Sequence, residues 1–307
     1  MERLKKLIDR ISGKNRMNDI KYVTKLYKRS QLEVLALFLV IVAIVGGNYS
    51  YLVFKLKMTT DHIYTQKANE IAQKHLDEPA GFGNFDLMTI GLYSEWLQKE
   101  DKYFKLYKFG EYDDELKEMD EIGAMSDAYE TETGAGFVAF RLFTPSAVKS
   151  VKKHIKELEK YDTLIIDLRD NTGGMLTSAE QMAEIFLDRG MTVYTKETRG
   201  KSVTVKTKKA ASLKPQKIII LQNEWTASAA ELFIMALKEN LDNVTTVGVK
   251  SYGKGLGQNE YRLTGGYAFK LTAMRLLTPS GSCVDGKGIE PDIEYTKDDI
   301  ISFADSL

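Results

Sequence analysis

Residues Val34 to Phe54 read VLALFLVIVAIVGGNYSYLVF, 21 positions without a charge, and about 20 apolar residues is what an α-helix needs to cross the hydrocarbon core of a bilayer. A secretory signal has a shorter apolar core followed by a small-residue cleavage site, and none is evident here. The run is therefore read as one transmembrane helix. The first 31 residues hold ten Lys or Arg, with Lys25, Lys28 and Arg29 close to the span, whereas the far flank offers only Lys55 and Lys57 before charges become mixed. That asymmetry places the N-terminal residues 1–33 in the cytoplasm and everything beyond Phe54 outside. The expectation is a single-pass protein of the cell membrane that meets lipid through residues 34–54.

Beyond the span, His62 to Glu78 is polar, with Ile63, Ala68, Ile71, Ala72 and Leu76 near helical spacing, and it reads as an amphipathic stalk helix. A glycine break at Gly81 to Gly83 leads into an aromatic-rich stretch ending near Phe109, and Glu111 to Glu132 is strongly acidic. Such a run is ordinarily a solvated linker or loop. From Gly134 to Leu307 the pattern changes to apolar strand-like runs alternating with amphipathic helix-like runs, which is how an α/β domain reads. Strands are expected over Phe137–Phe143, Thr163–Leu168, Lys217–Gln222, Val244–Val249 and Ala268–Met274, and helices over Ser146–Lys160, Thr177–Arg189 and Ala229–Asn240.

Charge and rare residues narrow the chemistry. Lys plus Arg and Asp plus Glu both total 43, so nothing suggests attraction to nucleic acid. The single cysteine, Cys283, excludes an intrachain disulfide and a multi-cysteine zinc site. Of three histidines, His62 and His75 fall in the stalk, leaving His154 in a Lys-rich helix as the only one in the α/β domain. A histidine-based triad is disfavoured on that ground. Neither an H-E-x-x-H pair nor a cluster with metal-ligand spacing is present, and no metal or cofactor is called for.

Three loops carry candidate chemistry. Asp167-Leu168-Arg169-Asp170-Asn171-Thr172-Gly173-Gly174 follows a strand and precedes a helix, where paired glycines let the backbone turn sharply and present N–H groups to an oxyanion. Alone it also fits ordinary turn geometry. Asn223-Glu224-Trp225-Thr226-Ala227-Ser228-Ala229-Ala230-Glu231 again joins strand to helix, and by itself Ser228 with Glu231 three residues later reads as a helix capping box. Ser251-Tyr252-Gly253-Lys254-Gly255-Leu256-Gly257-Gln258 frames a lysine and a glutamine with glycines. The order G-x-x-x-x-G-K-[ST] is missing, so a nucleotide-binding Walker loop is disfavoured.

Those three loops and the later segment GKGIEPDI resemble, in order and spacing, the C-terminal-processing (tail-specific) serine peptidases, over roughly Gly134 to Tyr295. The resemblance implies Ser228 as nucleophile, Lys254 as general base and Gln258 as the group orienting the lysine. It implies an oxyanion hole from backbone N–H groups of Gly173 or Gly174 and of Ala229. It further implies a layered crotonase/ClpP-like α/β peptidase core, here preceded by the one N-terminal transmembrane helix. Pro279 and the GIEPD segment look structural. Substrates would be proteins or peptides with flexible C-terminal segments, cut near those ends, and association into a homo-oligomer is left open. Two departures stand out. Residues 62–133 do not leave room for the complete PDZ domain that such peptidases usually carry, and Gly81-Phe82-Gly83-Asn84-Phe85 only faintly resembles its carboxylate-binding loop. Ala230 stands where many relatives have a second serine.

The chemistry of the residues agrees with the resemblance, because a serine hydroxyl needs an adjacent base and a lysine with a depressed pKa can serve in place of histidine. A competing reading is a non-catalytic ligand- or partner-binding module on the same fold, since fold does not dictate function. Retention of Ser228, Lys254 and Gln258 together argues against it. Acyl-CoA chemistry on a crotonase-like core is weaker still, because an external domain would rarely meet coenzyme A.

Overall fold

The computed structural model describes residue 98 and residues 101–108, 110–198, 201–262 and 267–307. The expected transmembrane helix over residues 34–54, the stalk helix and the Gly81 to Phe85 loop lie outside the described residues. Among the described residues no helix is long and apolar enough to cross a membrane.

Two adjacent runs, Thr163–Asp167 (β4, TLIID) and Lys217–Gln222 (β7, KIIILQ), organise the domain. They pair in parallel, Ile165 opposite Ile219. Leu164, Ile165, Ile166 and Ile218 through Leu221 are all essentially inaccessible to solvent, which explains their unbroken apolar sequence, since a parallel strand covered on both faces has no polar side to alternate with. Leu164, Ile166, Ile218 and Ile220 face one core, with Phe143, Met182 and Phe233. Ile165, Ile219 and Leu221 face the other, with Phe137, Val247 and Ile300. Each fully buried aliphatic side chain contributes about 1.5–3 kcal/mol by removal from water.

The sheet has six strands in the order β11-β8-β7-β4-β3-β2, where β2 is Ser126–Glu130, β3 Gly136–Phe140, β8 Val244–Gly248 and β11 Ile293–Glu294. Only β2 runs antiparallel to its neighbour. Helices Pro145–Lys153 (α2), Leu176–Ala183 (α4) and Ala229–Asn240 (α5) bury residues in the first core, and Ile300–Asp305 (α6) covers the opposite face. A second sheet follows the path β1-β10-β5-β6, with β9 also paired to β10. Its strands are Lys105–Tyr107 (β1), Thr192–Thr198 (β5), Lys201–Lys206 (β6), Leu256–Arg262 (β9) and Ala268–Leu277 (β10).

The α/β expectation is met, and the bounds of β7 and α5 match the sequence reading. The acidic stretch is not a linker. Glu111–Ala124 forms helix α1, and Ser126–Glu130 pairs with β3, so the sheet takes in residues ahead of Gly134. Asp120 accepts from Ser146 N and Oγ at 3.1 and 2.7 Å. Glu115 accepts from Lys105, Tyr107 and Lys270. Burial pushes the Glu115 carboxyl up, but the hydrogen bonds from Lys105, Lys270 and Tyr107 outweigh it and hold its pKa at about 2.

Other elements differ in length. The helix expected over Ser146–Lys160 breaks at His154 and resumes as a short turn, Ile155–Leu158 (α3). The helix expected over Thr177–Arg189 ends at Ala183; the Ile185 carbonyl accepts from Ser212 and Leu213 N–H at 2.9 and 2.8 Å rather than from a further helical turn. The strand expected to reach Phe143 stops at Phe140, whose carbonyl accepts from Asn171 Nδ2 at 2.9 Å.

Candidate active site

The three loops singled out in the sequence leave the C-terminal ends of β4, β7 and β8, neighbours in the parallel sheet. In open α/β sheets that is the edge at which ligands bind. The loops are laced together by specific bonds. Asp170 N donates to Asn223 Oδ1 at 2.9 Å, and Asn223 Nδ2 donates to Asp170 Oδ1 at 2.8 Å. Thr226 Oγ1 donates to the Leu168 carbonyl at 2.8 Å, and Ala227 N to the Asn171 carbonyl at 2.9 Å. Buried Asp167 anchors the first loop by accepting Arg169 Nε at 2.9 Å and a second guanidinium nitrogen at 2.6 Å.

Ser228 occupies the N-cap of α5 with φ +58° and ψ −117°, a region that costs an L-residue about 1–3 kcal/mol and persists only where the surroundings enforce it. Enforcement comes from both flanks. Ala227 N is tied to Asn171 as above, and Ser228 N donates to Glu231 Oε2 at 2.8 Å. The capping-box reading of Ser228 and Glu231 is thus correct as geometry. It is also incomplete, because the same carboxylate reaches the lysine loop. Glu231, fully buried, accepts Ser251 Oγ at 2.6 Å and Gly253 N at 2.7 Å on Oε1, and Lys254 N at 2.8 Å on Oε2. One carboxylate therefore holds the backbone of Ser228 and the backbone of Lys254 on the same oxygen. The sequence offered no sign of this beyond Glu231 itself, since its partners lie 20 to 23 residues further on.

Lys254 is half-buried and its Nζ donates to Gln258 Oε1 at 3.1 Å. Burial pushes its amine below the usual lysine range, helped by the charges of Lys270 and Lys102 and opposed by those of Asp101 and Glu231. Gln258 lies on β9 opposite Thr272 of β10, where β10 carries an extra residue before Met274 pairs with Gly257. Nζ of Lys254 and Oγ of Ser228 share no hydrogen bond; in substrate-free sites such bonds are commonly long and tighten when the substrate arrives. His154 faces Glu157 at 3.8 Å and has no bond to Ser228.

Of the three expected oxyanion donors, Gly173 is already engaged, its N–H donating to Asn171 Oδ1 at 3.0 Å. Gly174 N and Ala229 N make no backbone hydrogen bond, the latter because a helix's first N–H groups have no intrahelical partner. Gly173 serves instead by its lack of a side chain. At φ +104°, a Cβ there would sit 2.9 Å from Ser228 Cβ and 2.8 Å from the Ala227 carbonyl. The GIEPD segment is structural, as expected: Gln222 Nε2 donates to the Ile289 carbonyl at 2.8 Å, and Asp292 accepts from Lys238 Nζ, Thr246 N and Thr246 Oγ1.

The sequence and the fold are similar to those of known proteins. The model of peptidase family S41 matches residues 134–295. A protein of Staphylococcus epidermidis described as a probable CtpA-like serine protease is 35% identical over 194 residues, 62% of this chain and 39% of the relative. A Staphylococcus aureus protein of the same description is 34% identical over 178 residues, 57% of this chain and 36% of the relative. The chain thus spans roughly two fifths of the length of these curated relatives. Among solved structures, the photosystem II D1 C-terminal processing protease superposes with a TM-score of 0.50 at 22% identity, covering 56% of this chain and 48% of that one. A lipoprotein from Streptococcus agalactiae superposes with a TM-score of 0.60 at 17% identity, covering 83% and 93%. These two show a shared fold.

Proposed function

The chain belongs to peptidase family S41, and from that footing we propose that it is a serine endopeptidase working through a Ser228–Lys254 dyad on flexible protein chains, near their C-termini. The neutral Lys254 amine takes the Ser228 proton as Oγ attacks the scissile carbonyl. Ala229 and Gly174 N–H groups stabilise the oxyanion, Lys254 returns the proton to the leaving amine, and water then releases the acyl group. Gln258 Oε1 accepts one N–H of the amine and leaves its lone pair for the serine. The observation that carries this reading is the shared Glu231 oxygen, which holds the strained Ser228 and the half-buried Lys254 in one frame.

The test is incubation of the purified chain and its Ser228→Ala variant with an unstructured polypeptide, fragments being mapped by mass spectrometry. Cleavage by wild type alone, concentrated near free C-termini, is expected. If wild type cuts nothing, the binding-module reading takes over; if amidated or charged C-termini are cut equally fast, the tail preference falls and the peptidase stands.

The proposal includes placement. Residues 34–54 anchor the chain in the membrane, with the basic head inside and the α/β domain outside, on the charge asymmetry of the sequence. Protease added to intact cells should then degrade the α/β domain and spare the basic head. The opposite pattern inverts the topology.

A further inference from the structure

The segment just ahead of β1 lies outside the residues matched by the family model, yet it packs against the dyad's lysine. Tyr103 places its ring 4.4 Å from Lys254 Nζ, centroid to nitrogen. Its carbonyl accepts a hydrogen bond from Gln258 Nε2. That second bond has a directional consequence. An amide that gives its N–H₂ to one neighbour must show its oxygen to the other, so the Tyr103 carbonyl dictates that Gln258 presents Oε1 to Lys254.

The segment is anchored rather than draped. Asp101, buried, accepts Thr272 N at 2.7 Å and Thr272 Oγ1 at 2.8 Å. Thr272 opposes Gln258 at the irregularity in β10, and bulges of this kind commonly re-aim a side chain beside a functional site. Asp101 also accepts Tyr103 N at 3.0 Å, while its carbonyl accepts Phe104 N at 2.9 Å, closing a tight turn. Phe104 then packs with Phe269 and Tyr261. One carboxylate thus ties the turn that carries Tyr103 to the strand facing Gln258.

We propose that Tyr103 is a positioning residue of the active site, fixing Gln258 through its carbonyl and roofing the Lys254 amine with its ring. The inference rests on the Ser/Lys reading for its catalytic meaning, but not for its geometry. The ring acts on the amine in two opposed ways. It excludes water, which disfavours the ammonium, and its π face attracts the ammonium. Desolvation moves a buried lysine by up to several pKa units, whereas a cation–π contact amounts to a fraction of that, so the exclusion of water wins. The other charges facing Lys254 are Asp101 and Lys102 on the same segment, Lys270 on β10 and Glu231 on α5. Of these, Lys102 contacts the Tyr103 side chain, its Nζ 4.7 Å from the ring centroid, so Tyr103→Ala bares that neighbour as well, whereas Tyr103→Phe keeps the ring beside it. The Tyr103 hydroxyl is buried beside Lys102, so removing it should cost little.

The experiment follows the pH dependence of Lys254 modification by a trace of acetic anhydride, read by mass spectrometry in the full chain carrying Ser228→Ala, which prevents self-cleavage. Tyr103→Ala is expected to raise the midpoint by about one unit, as water reaches the amine. Tyr103→Phe, which keeps ring and carbonyl, is expected to leave it in place. Should the alanine variant melt early, Tyr103→Ser gives the same comparison with a small side chain that turns tolerate. With Ser228 intact, Tyr103→Ala should lower kcat about tenfold, hold KM, and shift the acid limb of the rate profile to higher pH. Coincident labelling midpoints for alanine and wild type, or a change confined to KM, would overturn the proposal. A shifted midpoint in an enzyme that remains active as Lys254→Arg would leave the roof standing and remove the lysine from the mechanism.

Discussion

Lys254→Arg is expected to abolish peptide hydrolysis as completely as Lys254→Ala and nearly as completely as Ser228→Ala, each lowering kcat/KM at least about 10⁴-fold. Arginine preserves charge and much of the length, so a lysine serving only as a structural cation would survive the change. Its guanidinium stays protonated at every accessible pH and cannot accept the serine proton. Lys254 differs because burial, with Lys270 and Lys102 nearby, holds its amine below the usual lysine range. Wild-type activity should therefore rise with pH through that depressed pKa, as the free base becomes populated. Stability carries the same sign. A lysine whose folded pKa lies below its unfolded one destabilises the native state in full below the folded pKa, and the cost shrinks as pH rises towards the unfolded value. Lys254→Met should accordingly be inactive yet more stable than wild type to urea near neutral pH, with the gap closing in alkali. Near-wild-type turnover by Lys254→Arg at pH 7 would sink the dyad.

Glu231→Gln should be nearly as damaging to activity and far more damaging to the fold. The carboxylate is fully buried and accepts four hydrogen bonds, from Ser228 N, Ser251 Oγ, Gly253 N and Lys254 N. An ionised carboxylate has acceptors only, whereas an amide turns one end into a donor. If the NH₂ replaces Oε2 it meets two backbone N–H groups; if it replaces Oε1 it meets one, with a hydroxyl that must rotate away. One or two buried donors lose their acceptor either way, at about 1–3 kcal/mol each. The expected result is a loss of roughly 1–6 kcal/mol in denaturant unfolding and a fall in kcat that exceeds any change in KM, because the two loops lose register rather than substrate contacts. A glutamine variant as stable and as active as wild type would show that the shared oxygen has no role in assembling the site.

The parts of the molecule legible in the sequence are those where a single physical requirement sets the residue type. β7 reads KIIILQ because both of its faces are covered, and α5 begins where the Ser228–Glu231 cap begins. The loops bearing Ser228, Lys254 and Gly173 were legible because small residues tolerate the close approaches seen there. Helix α1 was misread because apolar burial does not hold it. Of its 14 residues only Tyr112 and Gly123 are buried, and it is fastened by Glu115 to Lys270 and by Asp120 to Ser146, partners remote in sequence. The β5–β6 hairpin escaped notice for a related reason: β6 reads KSVTVK and is almost wholly exposed, so no apolar face announces it. Asp101 and Tyr103 sat in the aromatic stretch that had no readable pattern. Their partners, Thr272 and Gln258, stand 171 and 155 residues away, beyond the reach of any local periodicity.

Those separations bear on when the site comes into existence as the chain folds. Asp170 and Asn223, which lace the first two loops, are 53 residues apart, and Glu231 reaches Lys254 across 23. The parallel register of β4, β7 and β8 must be in place before the loops at their ends can meet, and closing long chain segments into parallel sheet is among the slower steps available to a domain of this kind. Among the described residues no hairpin or single helix contains both Ser228 and Lys254. On the Ser/Lys reading proposed above, a partly folded molecule would hold a serine without its base, and hydrolysis would await the non-local pairings that bring Ser228 and Lys254 together.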